Sequence, residues 1–208
     1  MRKLIQGIVD FRKNLREENR ELFAQLALGQ KPDALFIACS DSRVVPNLFA
    51  STNPGDLFVL RNIANLVPPA TCSIQDNSAS AILEFSIFTL KVANIIVCGH
   101  SECGGMLALL HGIDAHSCPH VEAWLQYGKP SLHKLNQGHT LNPSLLRHNQ
   151  LSQLNVIQQI EHIKSYPFIQ RLLREKKLQI HGWWFDIAHA DVYCYEEKPH
   201  RFVLIDEE

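Results

Sequence analysis

The amino-acid sequence predicts an α/β fold: a central, mainly parallel β-sheet flanked by helices, with a helical arm at the N-terminus and a strand extension at the C-terminus. Two observations carry the class. Short, almost wholly apolar β-rich runs recur between residues 31 and 112, as strands covered on both faces require. Helical periodicity separates them, and alternation of strand and helix implies parallel strands joined by right-handed crossovers. At 208 residues the chain has the length of one domain with a full core, so residues 1–208 read as a single domain that includes the arm, residues 1–30.

In the arm, Leu4, Ile8, Phe11, Leu15, Leu22 and Leu26 fall on one stripe of a helix, or of two helices with a break near 18–20. Gly29 and Pro32 end it. Such a stripe reads as core packing, although an arm laid on a partner subunit has the same pattern. The strands are "ALFIAC" (34–39), "DLFVLRN" (56–62), which follows the turn signal Asn53-Pro54-Gly55, and "NIIVCG" (94–99). Residues 77–91 give a helix capped by Asn77 or Ser78, with Ala81, Leu83, Phe85, Phe88 and Leu90 as its buried positions. Residues 113–150, richer in His, Asn, Gln and Pro, read as a helix around 119–128 and then irregular chain. Leu151, Leu154, Ile157, Ile160 and Ile163 set an amphipathic helix over 151–164, and another follows around 167–176. "LQIHGWWFDI" and "DVYCYE" form a terminal strand pair.

Composition removes several classes of function. Apolar residues make up 46%, charged residues 20%, and the formal net charge is −1, so no basic excess points to nucleic acid or to an anionic membrane surface. No apolar run approaches the ~18 to 20 residues that cross a bilayer. Asp10, Arg12 and Lys13 interrupt the N-terminus, which therefore lacks the apolar core of a signal peptide, and a cytoplasmic location is expected. The six cysteines suggest no disulfide framework, because such frameworks serve small secreted chains without a large core. The absence of a C-x-x-C pair argues against a thiol redox protein.

Two of the apolar runs end in metal-ligating residue types. "CSDSR" (39–43) closes the first strand and "CGHSECGG" (98–105) closes the third. In a parallel sheet, chemistry gathers at the carboxyl ends of strands, where loops diverge and the next helix presents free N–H groups. Cys39, with His100 and Cys103 in a His-x-x-Cys spacing, offers two thiolates and an imidazole, the donors zinc prefers. Three protein ligands leave a fourth position for water or substrate, as catalytic sites do. Asp41 can reach either the metal or its water. Arg43 decides between these, since a guanidinium fork that grips a carboxylate turns it from the cation. Gly99, Gly104 and Gly105 allow the sharp loop before the next helix. His116 and His120 flank Cys118, but no carboxylate or second cysteine at regular spacing makes them a second metal site.

"ACSDSRV", "GDLFVLRNIANLVPP" and "GHSECGG" closely resemble the β-class carbonic anhydrases, in order and spacing from about Gln30 to Gly105, with weaker likeness at "YPFIQRLL" and "HGWWFDI". The resemblance implies one zinc ion per chain on Cys39, His100 and Cys103, with Asp41 and Arg43 as the catalytic dyad. The implied activity is reversible hydration of carbon dioxide to bicarbonate and a proton through a zinc-bound hydroxide. It further implies a homodimer or higher homo-oligomer with a shared active-site cleft, where the substrate pocket comprises Gln30, Phe58, Ile63, Phe85 and Gly104 and the partner subunit supplies Gln30 and Phe58. The chain departs from the plant-type pattern at Phe85, where a Tyr hydroxyl is common. Phe36 stands where the subgroup that closes its zinc with the Asp has Trp, which favours the open form; Arg61 is common to both. Relatives with the same site that hydrolyse CS2 or COS, and a non-catalytic zinc-stabilised or bicarbonate-sensing module, are the alternatives. Retention of both Asp41 and Arg43 argues against the module.

Overall fold

A computed structural model describes residues 1–15, 17–72 and 77–206; of Glu18 and Asn77 only the backbone is described. Residues 1–31 and 32–208 form two compact units. The first consists of α1 (Arg2–Asn14) and α2 (Glu17–Leu26). Phe11 meets Phe23 edge-on with ring centres 6.4 Å apart, and Arg20 Nη2 donates to the Arg12 carbonyl at 3.1 Å. Core packing of the N-terminal stripe does not hold for α1: none of its residues is buried, and Leu4, Ile8 and Phe11 are exposed. A pair of short helices is too small to enclose a core of its own.

The second unit runs through β1 (Ala34–Cys39), α3 (Pro46–Phe49), β2 (Leu57–Asn62), α4 (Asn77–Glu84), β3 (Asn94–His100), α5 (Gly104–His111), α6 (Pro119–Leu125), α7 (Lys129–Asn136), α8 (Arg147–Lys164), α9 (Pro167–Arg174), β4 (Gln179–Asp186), β5 (Asp191–Glu196) and β6 (Arg201–Leu204). The strands form one sheet in the order β2-β1-β3-β4-β5-β6. The first four are parallel, and β5 and β6 add antiparallel at one edge. Every residue of β1 is buried, as a strand covered on both faces must be.

Helix α8 crosses β3 and β4 closely. A Cβ on Gly99 would lie 2.7 Å from Val156 Cγ2, and one on Gly182 3.0 Å from Val156 Cγ1, so glycine at both strand positions admits the helix. The inner face of α8 is largely polar, with Asn149, Ser152, Asn155, Gln159 and His162 buried beside Leu151, Val156 and Ile163. These polar groups serve the loop after β2. Asn155 Nδ2 donates to Ala64 O at 3.1 Å, Gln159 Oε1 accepts from Val67 N at 2.9 Å, and His162 Nδ1 donates to Val67 O at 2.8 Å.

Several expected details are corrected. In α4 and the π-helical turn Phe85–Thr89 that continues it, the sheet takes the face of Ala79, Leu83, Ser86 and Ile87, leaving Ala81, Phe85 and Phe88 exposed. The segment is apolar on both faces, so periodicity alone selects neither. The helix begins at Asn77, but the side chain proposed to cap it lies outside the described residues. The chain after residue 128 is not irregular: it forms α7, with proline in its first turn, where a missing N–H costs nothing. Helix α8 starts four residues earlier than its apolar register, and the terminal pair is a three-stranded meander completed by β6.

Candidate metal centre

β1 and β3 are neighbouring parallel strands with Ala38 opposite Cys98, so Cys39 and His100 emerge at the same edge of the sheet. Three residues later Cys103 stands at the N-cap of α5, where the backbone N–H groups of Gly105 and Met106 favour its thiolate. The ligand atoms of Cys39, His100 and Cys103 lie within 4.8 Å of one another; among the described residues they form the one such group. Their exposures are 4, 0 and 1%.

The donor chemistry of the group fits a soft divalent cation. His100 Nδ1 donates to the Ser101 carbonyl at 2.8 Å, which leaves Nε2 as the bare nitrogen. That atom is buried and has no hydrogen-bond partner, a state that costs about 1–3 kcal/mol unless something binds it. A hydrogen bond from Cys103 pulls the Cys39 thiol down against its burial, and the same contact, together with burial, pushes Cys103 up. Ala64 N–H adds a donor to Cys39 Sγ at 3.4 Å. Cys98, two residues before His100, has no such donors; complete burial pushes its thiol far up and keeps it inert.

The backbone around Cys39 is fixed by β2 and the loop behind it. Arg61 donates through Nε and Nη2 to Cys39 O at 3.0 and 2.8 Å, and through Nη2 to Asp41 O at 2.7 Å. Asn62 brackets the following turn, accepting from Leu66 N at 2.9 Å and donating to Leu66 O at 2.8 Å. Within that turn Ala64 and Asn65 are left-handed, which aims the Ala64 N–H at the sulfur. Gly105 lets α5 approach: a Cβ there would lie 2.7 Å from Ala64 Cβ. Spacing alone gives Arg61 no role, because its partners are carbonyls.

Asp41 and Arg43 form a fork. Arg43 Nε donates to Asp41 Oδ1 at 2.9 Å and Nη2 to Oδ2 at 2.7 Å, and the Arg43 N–H adds a third bond to Oδ1 at 3.0 Å. The guanidinium beside it holds the Asp41 carboxyl well below the usual carboxylate range. Both carboxylate oxygens are thereby engaged, and neither belongs to the clustered ligand atoms.

The candidate pocket residues divide. Ile63 adjoins the turn at Ala64, and its carbonyl accepts from Trp124 Nε1 at 2.9 Å. An open recess of about 410 Å³ there is lined by Ser40, Asn62, Ile63, His120, Val121 and Trp124. Gly104 follows Cys103 directly, and a Cβ on it would meet nothing within 4 Å. Phe58 and Phe85 stack on each other, 5.8 Å between centres, but Phe58 is in register with Leu35, four residues before Cys39. At about 3.3 Å per residue they are remote from the ligand group of their own chain. Gln30 belongs to the N-terminal unit and is exposed.

Comparison with known proteins supplies relatives. The family model described as carbonic anhydrase matches residues 34–192. A carbonic anhydrase of Pseudomonas aeruginosa is 37% identical over 207 residues, covering 100% of this chain and 93% of the relative. One from Helicobacter pylori is 37% identical over 205 residues, covering 97% and 93%. Among solved structures, the β-carbonic anhydrase CcaA superposes with a TM-score of 0.89 at 34% identity, covering 100% of this chain and 93% of that one. One of two tetrameric β-carbonic anhydrases from Sordaria macrospora gives 0.80 at 30% identity, covering 93% and 95%.

Proposed function

The chain belongs to the carbonic anhydrases, in their β class, and from that premise we propose that it hydrates carbon dioxide reversibly, with zinc held by Cys39, His100 and Cys103. One observation carries the reading: a buried imidazole nitrogen without a partner is clustered with two cysteine sulfurs, next to a carboxylate locked by a guanidinium. Bound there, zinc supplies the Lewis acidity that activates a water towards the carbon of CO2. Asp41, kept ionised by Arg43, would accept a hydrogen bond from that water and orient it. Arg43 also holds both Asp41 oxygens, which supports an open fourth position. The backbone contacts from Arg61 and Ala64 hold Cys39 in place while the substrate, uncharged and linear, is met by apolar side chains.

Those walls are incomplete in a single chain. We assign Phe58, Phe85 and Gln30 to the cleft of a second copy, in a homodimer or a larger assembly. Exposure of Ile63, Phe85 and Phe88 supports this, as does the tetrameric state given for the Sordaria proteins. All six cysteines are free, which suits a reducing compartment such as the cytoplasm, and no helix among the described residues is long and apolar enough to cross a membrane.

The test is stopped-flow CO2 hydration by the purified protein, before and after zinc removal by a chelator. Rapid hydration that vanishes with zinc and returns on its addition is expected. The rate should climb towards alkaline pH, because two thiolate ligands offset the charge that would otherwise acidify bound water. A zinc-loaded protein without hydration overturns the proposal, and parallel assays with CS2 and COS then decide the alternative substrate.

A further inference from the structure

Glu102 lies between His100 and Cys103 with a left-handed backbone, φ 54°, a conformation that side-chain-bearing residues seldom adopt. Three contacts from the first turn of α8 hold it there. Its N–H donates to Asn149 Oδ1 at 2.8 Å, while Asn149 Nδ2 donates back to Glu102 Oε1 at 3.0 Å. His148 Nε2 donates to the same carboxylate oxygen at 2.9 Å. Asn149 is buried, so one fixed amide grips the main chain and the side chain of Glu102 together.

The gripped residue turns its carbonyl to Arg43, whose Nη2 donates to Glu102 O at 3.0 Å. Apart from Asp41, this is the one hydrogen-bond partner Arg43 has among the described residues, and its side chain is 47% exposed. Solvent and thermal motion would otherwise leave the fork tethered at Asp41 alone. We propose that Glu102 is a positioning residue acting through Arg43: its clamp to Asn149 and His148 fixes the carbonyl that anchors the fork, and the fork keeps Asp41 off the Cys39, His100 and Cys103 group. The inference rests on reading those three residues as metal ligands. Release of the anchor lets Asp41 turn onto the cation and compete with exogenous ligands for its fourth position.

Cobalt(II) loaded in place of zinc, followed by visible absorption and titrated with azide, reads that position independently of turnover. E102A should bind one cobalt per chain but bind azide about tenfold more weakly, the loss expected if Asp41 occupies the position nine-tenths of the time. E102Q, which keeps an oxygen for Asn149 and His148, should recover most of the affinity. In a D41N background, E102A should have no further effect. Unchanged azide affinity in E102A overturns the proposal. So does an equal weakening in the D41N background, which would mean that Glu102 acts on the ligands directly. Should E102A fail to fold, N149D sets two carboxylates against each other and should weaken azide likewise; E102Q/N149D should restore it, and absence of recovery counts against the clamp. A wild-type protein that takes up no cobalt overturns the ligand reading instead, a result distinct from all of these.

Discussion

The polar and apolar halves of the candidate site are finished to different degrees. Around the strand ends, every group the proposed chemistry needs is buried or tied within one chain: the three candidate ligand residues, the Asp41–Arg43 fork, and the Arg61 bonds to Cys39 and Asp41. The apolar side is left open: Ile63, beside the candidate ligands, is 43% exposed, and Phe85 and Phe88, away from them in the same chain, are 45 and 53% exposed. Physical chemistry accounts for the asymmetry. A buried polar atom without a partner incurs its full desolvation cost, so such groups must be settled as the chain folds. Exposed apolar surface merely forgoes about 25 cal/mol per Å² until something covers it. The proposed chemistry is therefore a property of the fold, and the proposed cleft would be a property of association.

The largest expected effect breaks the polar half outright. Cys39→Ser should remove stoichiometric zinc and reduce hydration to the uncatalysed background; full metal content with normal turnover would show that the three residues do not act as a unit. Asp41→Asn should retain one zinc per chain, measured by elemental analysis, while hydration falls about 10²- to 10⁴-fold, the range associated with loss of a positioned proton acceptor. An active, zinc-loaded variant would remove Asp41 from the mechanism.

On the apolar half, the pair Phe85→Ser and Phe88→Ser removes two half-exposed rings that pack on Phe58 and Phe168, and should cost the isolated chain about 1–3 kcal/mol. The same pair should lower the mass found by light scattering and make activity depend on protein concentration. Unchanged mass, with activity independent of protein concentration, would take these rings out of any interface and erase the contrast. The smallest effect concerns His162, whose imidazole burial depresses below its ordinary 6.5. Below that value the unfolded chain binds a proton that the folded one refuses, so stability falls with acidification from about pH 6.5 down to the lowered folded value. Denaturation midpoints at pH 7.5 and 5.5 should show it, and His162→Gln should flatten the slope.

What could be seen in the sequence follows the same division. Cys39, His100 and Cys103 were legible as a cluster because each closes or follows a fully apolar run, and a parallel sheet brings such ends to one edge. The Asp41–Arg43 fork spans two residues, a local geometry. Contacts that join distant positions were hidden: Asn149 meets Glu102 across 47 residues, and nothing near Glu102 announces a left-handed backbone. The face of α4 was misread because apolar residues surround the helix, and α1 because a stripe does not disclose what covers it. Helix α7 was hidden because it lies in a stretch rich in His, Asn, Gln and Pro, and its proline occupies the opening turn.

The polar underside of α8 also bears on how the molecule can be taken apart. The segment that aims Ala64 N–H at Cys39 Sγ has few partners of its own; Asn155, Gln159 and His162 hold Ala64 and Val67, while Ser165 Oγ accepts from Ala70 N at 2.9 Å and Tyr166 OH donates to Pro68 O at 2.9 Å. Residues roughly 90 positions apart are thus a single heritable module. A loop transplanted from a relative into residues 63–70 should carry its shape only when the matching positions of α8 and the residues just after it travel with it, and recombination that separates the two halves would inherit the candidate ligands without the backbone that sets them.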